Sequence, residues 1–301
     1  MNPTQQQAWK RDALDMVFSA LAESDELSQF LVYKGARILA LRLGELHRAS
    51  YDLDANLQLS FALRYPDRAE QVDRLQSLIH AAIEAHSNAQ SPVRFALNGV
   101  KVMHRPRENH PLGWNAFDVT IQLHDYANEG VRGLPTVTFD IAAPELLGDR
   151  AVAPLAVGNQ HVDAYTLERI AGEKLRAFLS SLGSYRAKVK KPGESVRAKD
   201  IYDLAQILRQ HSIADESFWT TAGAEFRLAC ASRYIDCAGI ATFEEDLALT
   251  KVTFDNEPVL PKDIAFEVAW AGIVQIVVFL ATAGILPFEH PLLHDDGHVD
   301  R

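Results

Sequence analysis

The chain has 301 residues, of which 48% are hydrophobic and 23% charged, and its formal net charge is −10 at pH 7. This composition is typical of a soluble globular protein and allows one large core or two smaller domains. The acidic balance excludes broad electrostatic attraction to nucleic acid, so any contact with nucleic acid requires a local basic patch.

Cysteine usage and the N-terminal segment both favour a reducing compartment. The chain contains only Cys230 and Cys237. Two cysteines cannot form a disulfide framework, and no Cys/His spacing indicates a zinc site. The N-terminal segment is polar and lacks the apolar stretch of a signal peptide. We therefore expect a cytoplasmic protein.

The N-terminal half is predicted to combine helices with strands. Ser24 is predicted to cap a short second helix, and Gly35 follows the first strand. The Gly, Pro and Asn residues in the later loops favour antiparallel strands. The predicted elements are helices at 4–22, 38–43 and 68–86, and strands at 30–33, 52–59, 93–103, 116–123 and 136–142.

The pattern after Pro154 predicts helices, with a basic Pro/Gly loop at 185–196. The segment 268–286 is nearly all apolar over about one bilayer thickness. Because Gln275 lies within it, we predict a buried core helix with this amide hydrogen-bonded, and not a membrane span. These patterns indicate an α+β protein. The predicted parts are an α/β domain at 1–155, a helical domain at 156–290 and a frayed tail at 291–301.

Two aspartates on one predicted strand are the first candidate site. Residues 52–59 alternate, so that Asp52 and Asp54 point to the same face while Leu53 points to the other. They lie just beyond the Gly35 turn, whose amides open a helix, and this combination suits a divalent metal and a triphosphate. For an isolated Asp-x-Asp motif, a solvated strand face is the commoner explanation.

A third carboxylate on a neighbouring strand would complete a two-metal site. Asp118 and Asp140 are the candidates. We prefer Asp140, because the alternating Val137, Phe139 and Ile141 point to the opposite face.

The helical half contributes Lys174, Asp200 and Asp203. The two aspartates share one helix face. Lys174 is either a triphosphate ligand or a surface lysine whose stem covers apolar residues, and the aspartates are either site residues or acids that favour a helix N-terminus. We expect these three residues to face Asp52 and Asp54 across a cleft between the two halves.

Five segments in this order resemble a known family: KGAR at 34–37, RASYDLD at 48–54, the strand Asp140, TLERIAGEK at 166–174 and RAKDIYDL at 197–204. The resemblance, over about residues 31–208, is to the AbiEii-type nucleotidyltransferases. These are toxins of bacterial type IV toxin–antitoxin and abortive-infection systems and include the MenT-type toxins. They belong to the DNA polymerase β-like nucleotidyltransferase superfamily. The Asp-x-Asp strand combined with the Lys-Asp-x-x-Asp helix makes the resemblance fairly specific.

The resemblance implies a polymerase β-like nucleotidyltransferase core, with a mixed sheet, followed by a helical bundle. It also implies that Gly35 and Ser50 contact phosphates, and that Ala36 offers only its backbone amide where the family usually has Gly or Ser. The metal ligands that the resemblance implies are Asp52 and Asp54, which bind Mg²⁺. With Asp140, which the strand pattern adds, they are expected to hold two Mg²⁺ ions. The implied contributions of the helical half are Lys174 on the triphosphate and Asp200 and Asp203 as the polar wall of the nucleotide site.

The implied activity is transfer of a nucleoside monophosphate from an NTP to an acceptor hydroxyl, with a tRNA 3′ end as the acceptor and a cognate antitoxin as partner. Membrane association is not expected. The alternatives are the same chemistry on a small molecule or protein side chain, and a non-catalytic nucleotide-binding module. The cations available for RNA are Arg186, Lys188, Lys190, Lys191, Arg197 and Lys199, followed by Lys101, Arg105 and Arg107.

Overall fold

The computed structural model of the protein describes residues 1–44, 48, 50–105, 115–131, 133–142, 145–190 and 196–292. The chain forms two compact units, neither of which is contiguous in sequence. Unit 1 comprises Met1–Ile38, Ser50–Glu145 and Ala153–Ala164; unit 2 comprises Leu39–Ala49, Leu146–Val152 and Tyr165–Arg301. The predicted boundary after residue 155 stays a prediction, and the predicted tail beyond residue 292 lies outside the described residues.

The predicted helices and strands of the N-terminal half are confirmed, and Ser24 accepts a hydrogen bond from the Leu27 amide as the predicted cap. The elements through residue 165 are α1 (Pro3–Ala22), α2 (Asp25–Ser28), β1 (Leu31–Lys34), α3 (Gly35–Leu43), β2 (Asp52–Leu57), α4 (Leu59–Arg64), α5 (Arg68–Ala89), β3 (Phe95–Arg105), β4 (Ala116–Asp125), β5 (Val137–Ala142), β6 (Val152–Val157) and β7 (Gln160–Tyr165).

The expectation of a purely helical chain after Pro154 is wrong, because strand β6 includes this residue and strand β7 follows it. Proline has no amide hydrogen and is tolerated in a sheet mainly on edge strands. β6 is such an edge strand, at one end of the seven-stranded sheet. The proline therefore marks a strand position at the sheet edge and not the start of a helical region.

The seven strands form one mixed sheet in the order β3-β4-β5-β2-β1-β7-β6. β3, β4 and β5 pair antiparallel, as predicted. β2 runs parallel to β5 and antiparallel to β1, and β1 runs parallel to β7. The expected α+β class with a mixed sheet is confirmed.

The core of unit 1 lies on one face of this sheet. Leu53, Ala55 and Leu57 of β2 are fully buried or nearly so, as are Phe139 and Ile141 of β5. Helix α1 contacts β2 and β5, and it packs on α5, which covers β3. Because side chains alternate along a strand, the residues between these apolar ones point away from the core.

Unit 2 is mainly helical. Helix α8 contacts α6, α11 and α12, and α6 packs closely on α9. Gly172 permits the close approach of α6 and α9, because a Cβ there would lie 2.6 Å from the Phe226 nitrogen. The helices from residue 167 onward are α6 (Leu167–Leu179), α7 (Gly183–Lys188), α8 (Ala198–Gln210), α9 (Glu216–Ala231), α10 (Ile240–Phe243), α11 (Leu247–Asn256) and α12 (Phe266–Thr282).

Two expectations about the helical half need correction. The predicted basic loop begins with a helix, α7, and residues 191–195 of that loop lie outside the described part of the chain. Helix α12 buries one side, but Val268 and Val278 are 62% and 53% exposed and Gln275 is also exposed, so the prediction of a fully sheathed helix with a buried amide is wrong. Among the described helices, none is long and apolar enough to cross a membrane.

Candidate functional site

The predicted site residues fall into two groups, one in each unit. The group in unit 1 consists of Gly35, Ala36, Ser50, Asp52, Asp54 and Asp140. The group in unit 2 consists of Lys174, Asp200 and Asp203.

The carboxylates of unit 1 form a row across adjacent strands. Asp54 of β2 is in register with Asp140 of β5, and Asp140 is in register with Asp118 of β4. On the other side of β2, Lys34 of β1 is in register with Asp54. Residues that are directly opposite on neighbouring strands share a face of the sheet, so these four side chains lie on the same face, away from the core.

Asp52 extends this acidic face along β2, two residues before Asp54. Its carboxylate Oδ1 accepts a hydrogen bond from the Ser50 hydroxyl at 2.9 Å. The family resemblance implies that Ser50 contacts a phosphate, whereas the hydroxyl orients the Asp52 carboxylate here. A serine hydroxyl carries one proton, so it would have to release Asp52 before donating to a phosphate.

The acidic face carries incompletely compensated negative charge. Partial desolvation raises the pKa of the Asp140 carboxyl above its ordinary value, and the charges of Asp118 and Asp52 raise it further, against the opposing effect of Arg105 and Lys34. Asp118 forms an ion pair with Arg105. A cation bound beside Asp140 would therefore favour the ionised form of its carboxyl.

Mg²⁺ prefers carboxylate oxygens, and the residue types, shared face and strand register of Asp52, Asp54 and Asp140 fit that preference. With the present side-chain rotamers, no three His, Cys, Asp or Glu residues in the described part of the chain converge on a metal position. A two-ion site would thus require rotation of the aspartate side chains, which their position on the solvent face of the sheet permits.

Gly35 allows the Asp54 carboxylate to lie against the first turn of α3. Its φ is +83°, which residues with a Cβ rarely adopt, and a Cβ at this position would lie 2.1 Å from Asp54 Oδ2. The sequence suggests that this glycine brings an amide near a phosphate. In the structure the approaching group is a carboxylate of the protein itself, which the positive end of the helix dipole favours.

We expect Gly35→Ala to destabilise the protein by at least about 1 kcal/mol and to displace Asp54, since an L-residue is disfavoured at positive φ and the Cβ clashes. Gly130 is a matched control: its φ is +85°, but a Cβ added there would meet no atom of a described, non-adjacent residue within 4 Å. Urea unfolding and nucleotidyl transfer by both alanine variants measure the effect. Equal losses in the two variants would mean that the contact with Asp54 does not matter.

Ala36 follows Gly35 in the first turn of α3 and is half-buried. The next residue, Arg37, is a candidate to replace the missing serine or glycine. Its guanidinium pairs with Asp15 of α1 and lies over the Phe18 ring, 5.4 Å from the ring centroid. Arg37 is therefore committed to the packing of α1 in unit 1.

The group in unit 2 is a buried ion network. Lys174 of α6 places its Nζ 2.9 Å from Asp200 Oδ1 and 2.6 Å from Asp203 Oδ2. Arg48 binds both oxygens of Asp203 through Nε (2.7 Å) and Nη2 (2.8 Å). Arg197 Nε lies 2.6 Å from Asp200 Oδ2. Lys174 is thus buried and paired, which excludes the interpretation as a solvated surface lysine.

Mutual attraction outweighs desolvation in this network. Burial alone would raise the pKa values of Asp200 and Asp203. Lys174 and Arg197 lower the pKa of Asp200 below the ordinary 3.8, and Lys174 and Arg48 do the same for Asp203. Burial alone would lower the pKa of Lys174, but the two aspartates raise it above 10.5. Lys174, Asp200 and Asp203 are therefore ionised at neutral pH.

The network predicts a specific acid sensitivity. The stabilisation from Asp200 and Asp203 is present above pH 3.8 and is lost as the pH falls through their lowered folded-state pKa values. We expect the difference in unfolding free energy between the wild type and Asp203→Asn to be constant near neutral pH and to become smaller below pH 3.8. Urea unfolding at several pH values tests this, with the exposed Asp73→Asn as control. A difference that persists at low pH would contradict the ionic account.

Sequence reasoning missed the cations and one acid that support the two groups. Lys34 pairs with Glu145, and Arg48 forms the two-point contact with Asp203. These pairs join residues 111 and 155 positions apart. The only sequence signal is their presence in the segments KGAR and RASYDLD, because no local periodicity links such distant residues.

Four of the nine cations predicted for RNA contact pair with neighbouring acids. Lys188 binds Asp236 at 2.6 Å and the His290 carbonyl oxygen at 2.9 Å, and Lys199 lies 3.6 Å from Glu257. Arg197 and Arg105 pair with site aspartates, and Arg186 is buried. Lys190 has a positive φ of 53°, and Lys101 is exposed on β3. Lys191 and Arg107 lie outside the described residues.

A mixed sheet that presents aspartates from neighbouring strands on its open face is the arrangement that the resemblance to the nucleotidyltransferase class implies. Residues 17–278 match the family described as nucleotidyl transferase AbiEii toxin of type IV toxin–antitoxin systems. The chain belongs to this family and is therefore a nucleotidyltransferase, as its motifs suggest.

The fold is similar to that of MenT4, a nucleotidyltransferase toxin from Mycobacterium tuberculosis. The two chains are 18% identical with a TM-score of 0.54, and the match covers 92% of this chain and 84% of MenT4. JHP933 from Helicobacter pylori is 15% identical with a TM-score of 0.49, over 93% and 94% of the two chains. No curated protein matches the sequence.

Proposed function

We propose that the protein transfers a nucleoside monophosphate from an NTP to an acceptor hydroxyl in a Mg²⁺-dependent reaction. The observation that carries the proposal is the row of strand carboxylates in unit 1, with Asp54 in register with Asp140 and with Asp52 on the same face. The family defines the reaction class, and the row supplies the ligand type that a divalent cation prefers.

In this proposal some residues of unit 1 bind the metal and others orient the metal ligands. Asp52, Asp54 and Asp140 would hold Mg²⁺, which when bound neutralises phosphate charge and activates the acceptor hydroxyl. Ser50 orients Asp52, and Gly35 gives Asp54 its place at the start of α3. The acceptor oxygen forms a bond to the α-phosphorus, the bond from that phosphorus to the β-phosphate bridging oxygen breaks, and pyrophosphate leaves. The proton of the hydroxyl passes to solvent.

The network in unit 2 is proposed to bind a triphosphate through Lys174. Lys174 carries three N–H donors, of which Asp200 and Asp203 accept two, so the ammonium can also donate to a phosphate oxygen. Asp200 and Asp203 would act by fixing this ammonium, and Arg48 by fixing Asp203.

A tRNA 3′ end is the proposed acceptor, and a cognate antitoxin is the proposed partner that restrains the toxin in the cytoplasm. The family's place in type IV toxin–antitoxin systems supports the antitoxin, whereas the tRNA acceptor rests on the resemblance given in the sequence analysis. The pairing of Lys188 with Asp236 and of Lys199 with Glu257 favours a second candidate, a protein or small-molecule hydroxyl, because it leaves less free positive charge for RNA.

The deciding experiment incubates the protein with each α-labelled NTP, Mg²⁺ and total cellular RNA or protein. Label on RNA at its 3′ end supports the tRNA proposal, label on protein supports the alternative, and no labelled product with any NTP overturns the transferase proposal. Asp52→Asn should label nothing, whereas Asp73→Asn, an exposed carboxylate on α5, should label as the wild type does. Transfer to RNA should fall with added salt, because phosphate contacts release counterions.

A further inference from the structure

The open face of the sheet continues from the carboxylate row along β4. In this strand Thr120, Gln122 and His124 alternate with buried residues, so they lie on the same face as Asp118. Gln122 and His124 are exposed, and Thr120 is half-buried. At about 3.4 Å per residue, the strand carries this face about 20 Å away from the row. The proposed metal site therefore lies at one end of an open polar surface of unit 1.

An exposed aromatic pair lies at the far end of this surface. The rings of His124 and Tyr126 meet edge to face with their centroids 4.6 Å apart, and Tyr126 is 50% exposed. Between them, Asp125 is buried and accepts hydrogen bonds from Trp9 Nε1 and the Ala127 amide, both at 2.9 Å. These bonds fix the backbone that carries the two rings. Aromatic rings exposed on a sheet are groups on which single-stranded nucleobases stack.

An exposed cation lies between the row and the aromatic pair. Lys101 of β3 is directly opposite Thr120 of β4, so the two side chains share the open face. Within the described part of the chain, Lys101 is exposed and forms no ion pair. We call Lys101, Thr120, Gln122, His124 and Tyr126 the β3–β4 strip. It offers an ammonium, a hydroxyl, an amide and two rings, and no carboxylate.

We propose that the β3–β4 strip binds the single-stranded 3′ end of an RNA acceptor. Bases stack on His124 and Tyr126, Lys101 binds a phosphate, and the terminal hydroxyl lies at the proposed metal site. The inference rests on the proposed function, because it presumes an RNA acceptor, and it names the surface that receives this acceptor. A duplex does not fit, because its bases are stacked on one another. Stacking needs little positive charge, which suits a chain with a net charge of −10.

Binding is tested without metal or NTP, so that it does not depend on transfer. The probe is a short fluorescein-labelled single-stranded RNA, whose fluorescence anisotropy is measured in EDTA. His124→Ala and Tyr126→Ala should each weaken binding at least about fivefold, since each removes a stacking platform. Tyr126→Phe keeps the ring and should bind within about twofold of the wild type. Lys101→Gln should lower the slope of log affinity against log salt by about 0.7.

Two controls distinguish loss of the stacking groups from a general effect of substitution. His80→Ala removes an exposed imidazole on α5 and should bind the single strand as the wild type does. The same RNA annealed to its complement should bind the wild type more weakly, and His124→Ala should not change that affinity. Thermal unfolding verifies that each variant is folded.

The outcomes separate this inference from the proposed function. Unchanged affinity in either alanine variant, or equal losses in Tyr126→Phe and Tyr126→Ala, would overturn the inference. If one alanine variant does not fold, the other decides. A wild-type protein that does not bind the single strand would also overturn it, while transfer to a protein or small molecule would still support the transferase. If the strip binds RNA but no NTP labels any product, the transferase proposal fails and the strip remains an RNA-binding surface.

Discussion

Replacing Lys174 by alanine is expected to lower the free energy of unfolding by about 3 kcal/mol, because it removes the shared cation of two buried carboxylates. Breaking a buried pair typically costs about 3–5 kcal/mol. The lower end applies here, because Asp203 keeps Arg48 and Asp200 keeps Arg197. From the sequence alone, the same change is expected to leave stability nearly unaltered, and the burial of the network reverses that expectation.

Urea unfolding of Lys174→Ala measures the loss, and Lys10→Ala on α1 of unit 1 serves as the control. A change smaller than about 1 kcal/mol would contradict the ion network, since surface substitutions fall within about 0.5 kcal/mol. The role in nucleotide binding needs a separate measurement, at a temperature where the variant is folded. A ligand that binds the native state raises the unfolding midpoint, so NTP should raise it for the wild type and not for the variant.

Lys174 illustrates which parts of the site the sequence could predict. Its helix and the shared face of Asp200 and Asp203 follow from local periodicity, which a sequence contains in full. The depth of burial does not, because it depends on α8 packing against α6. The same lysine could equally have covered apolar residues at the surface.

In the sheet, too, the local pattern of each strand can be predicted from the sequence, whereas the packing of distant segments cannot. The alternation in β2 and β5 predicts which residues point away from the core, because the period of two is local. The neighbours of each strand are not predictable in the same way. The parallel pairing of β2 with β5 joins segments more than 80 residues apart, and it is this pairing that sets Asp140 beside Asp54. The edge strand β6 was missed because Pro154 suppressed the strand pattern.

Opposite effects on activity and stability are expected when Asp140 is replaced by asparagine. Transfer should fall by at least about 100-fold, since even the outer partners of metal ligands are worth about 10–100-fold. Stability should stay unchanged or rise by up to about 0.5 kcal/mol. Desolvation and the charges of Asp118 and Asp52 oppose ionisation of the Asp140 carboxyl, and this is the cause of its raised pKa. The asparagine side chain is neutral, so neither the desolvation of a charge nor the repulsion by Asp118 and Asp52 destabilises it.

Asp118→Asn is the matched comparison, because Asp118 is the next carboxylate in the row and is paired with Arg105. Its replacement should reduce transfer much less than that of Asp140 and should lower stability slightly through the lost ion pair, which at a surface is worth about 1 kcal/mol or less. The test measures the initial rate of nucleotidyl transfer and the free energy of unfolding in urea for each of the two variants. If Asp118→Asn loses transfer and Asp140→Asn retains it, the third metal ligand is Asp118. If both variants retain full transfer, neither Asp140 nor Asp118 is the third metal ligand.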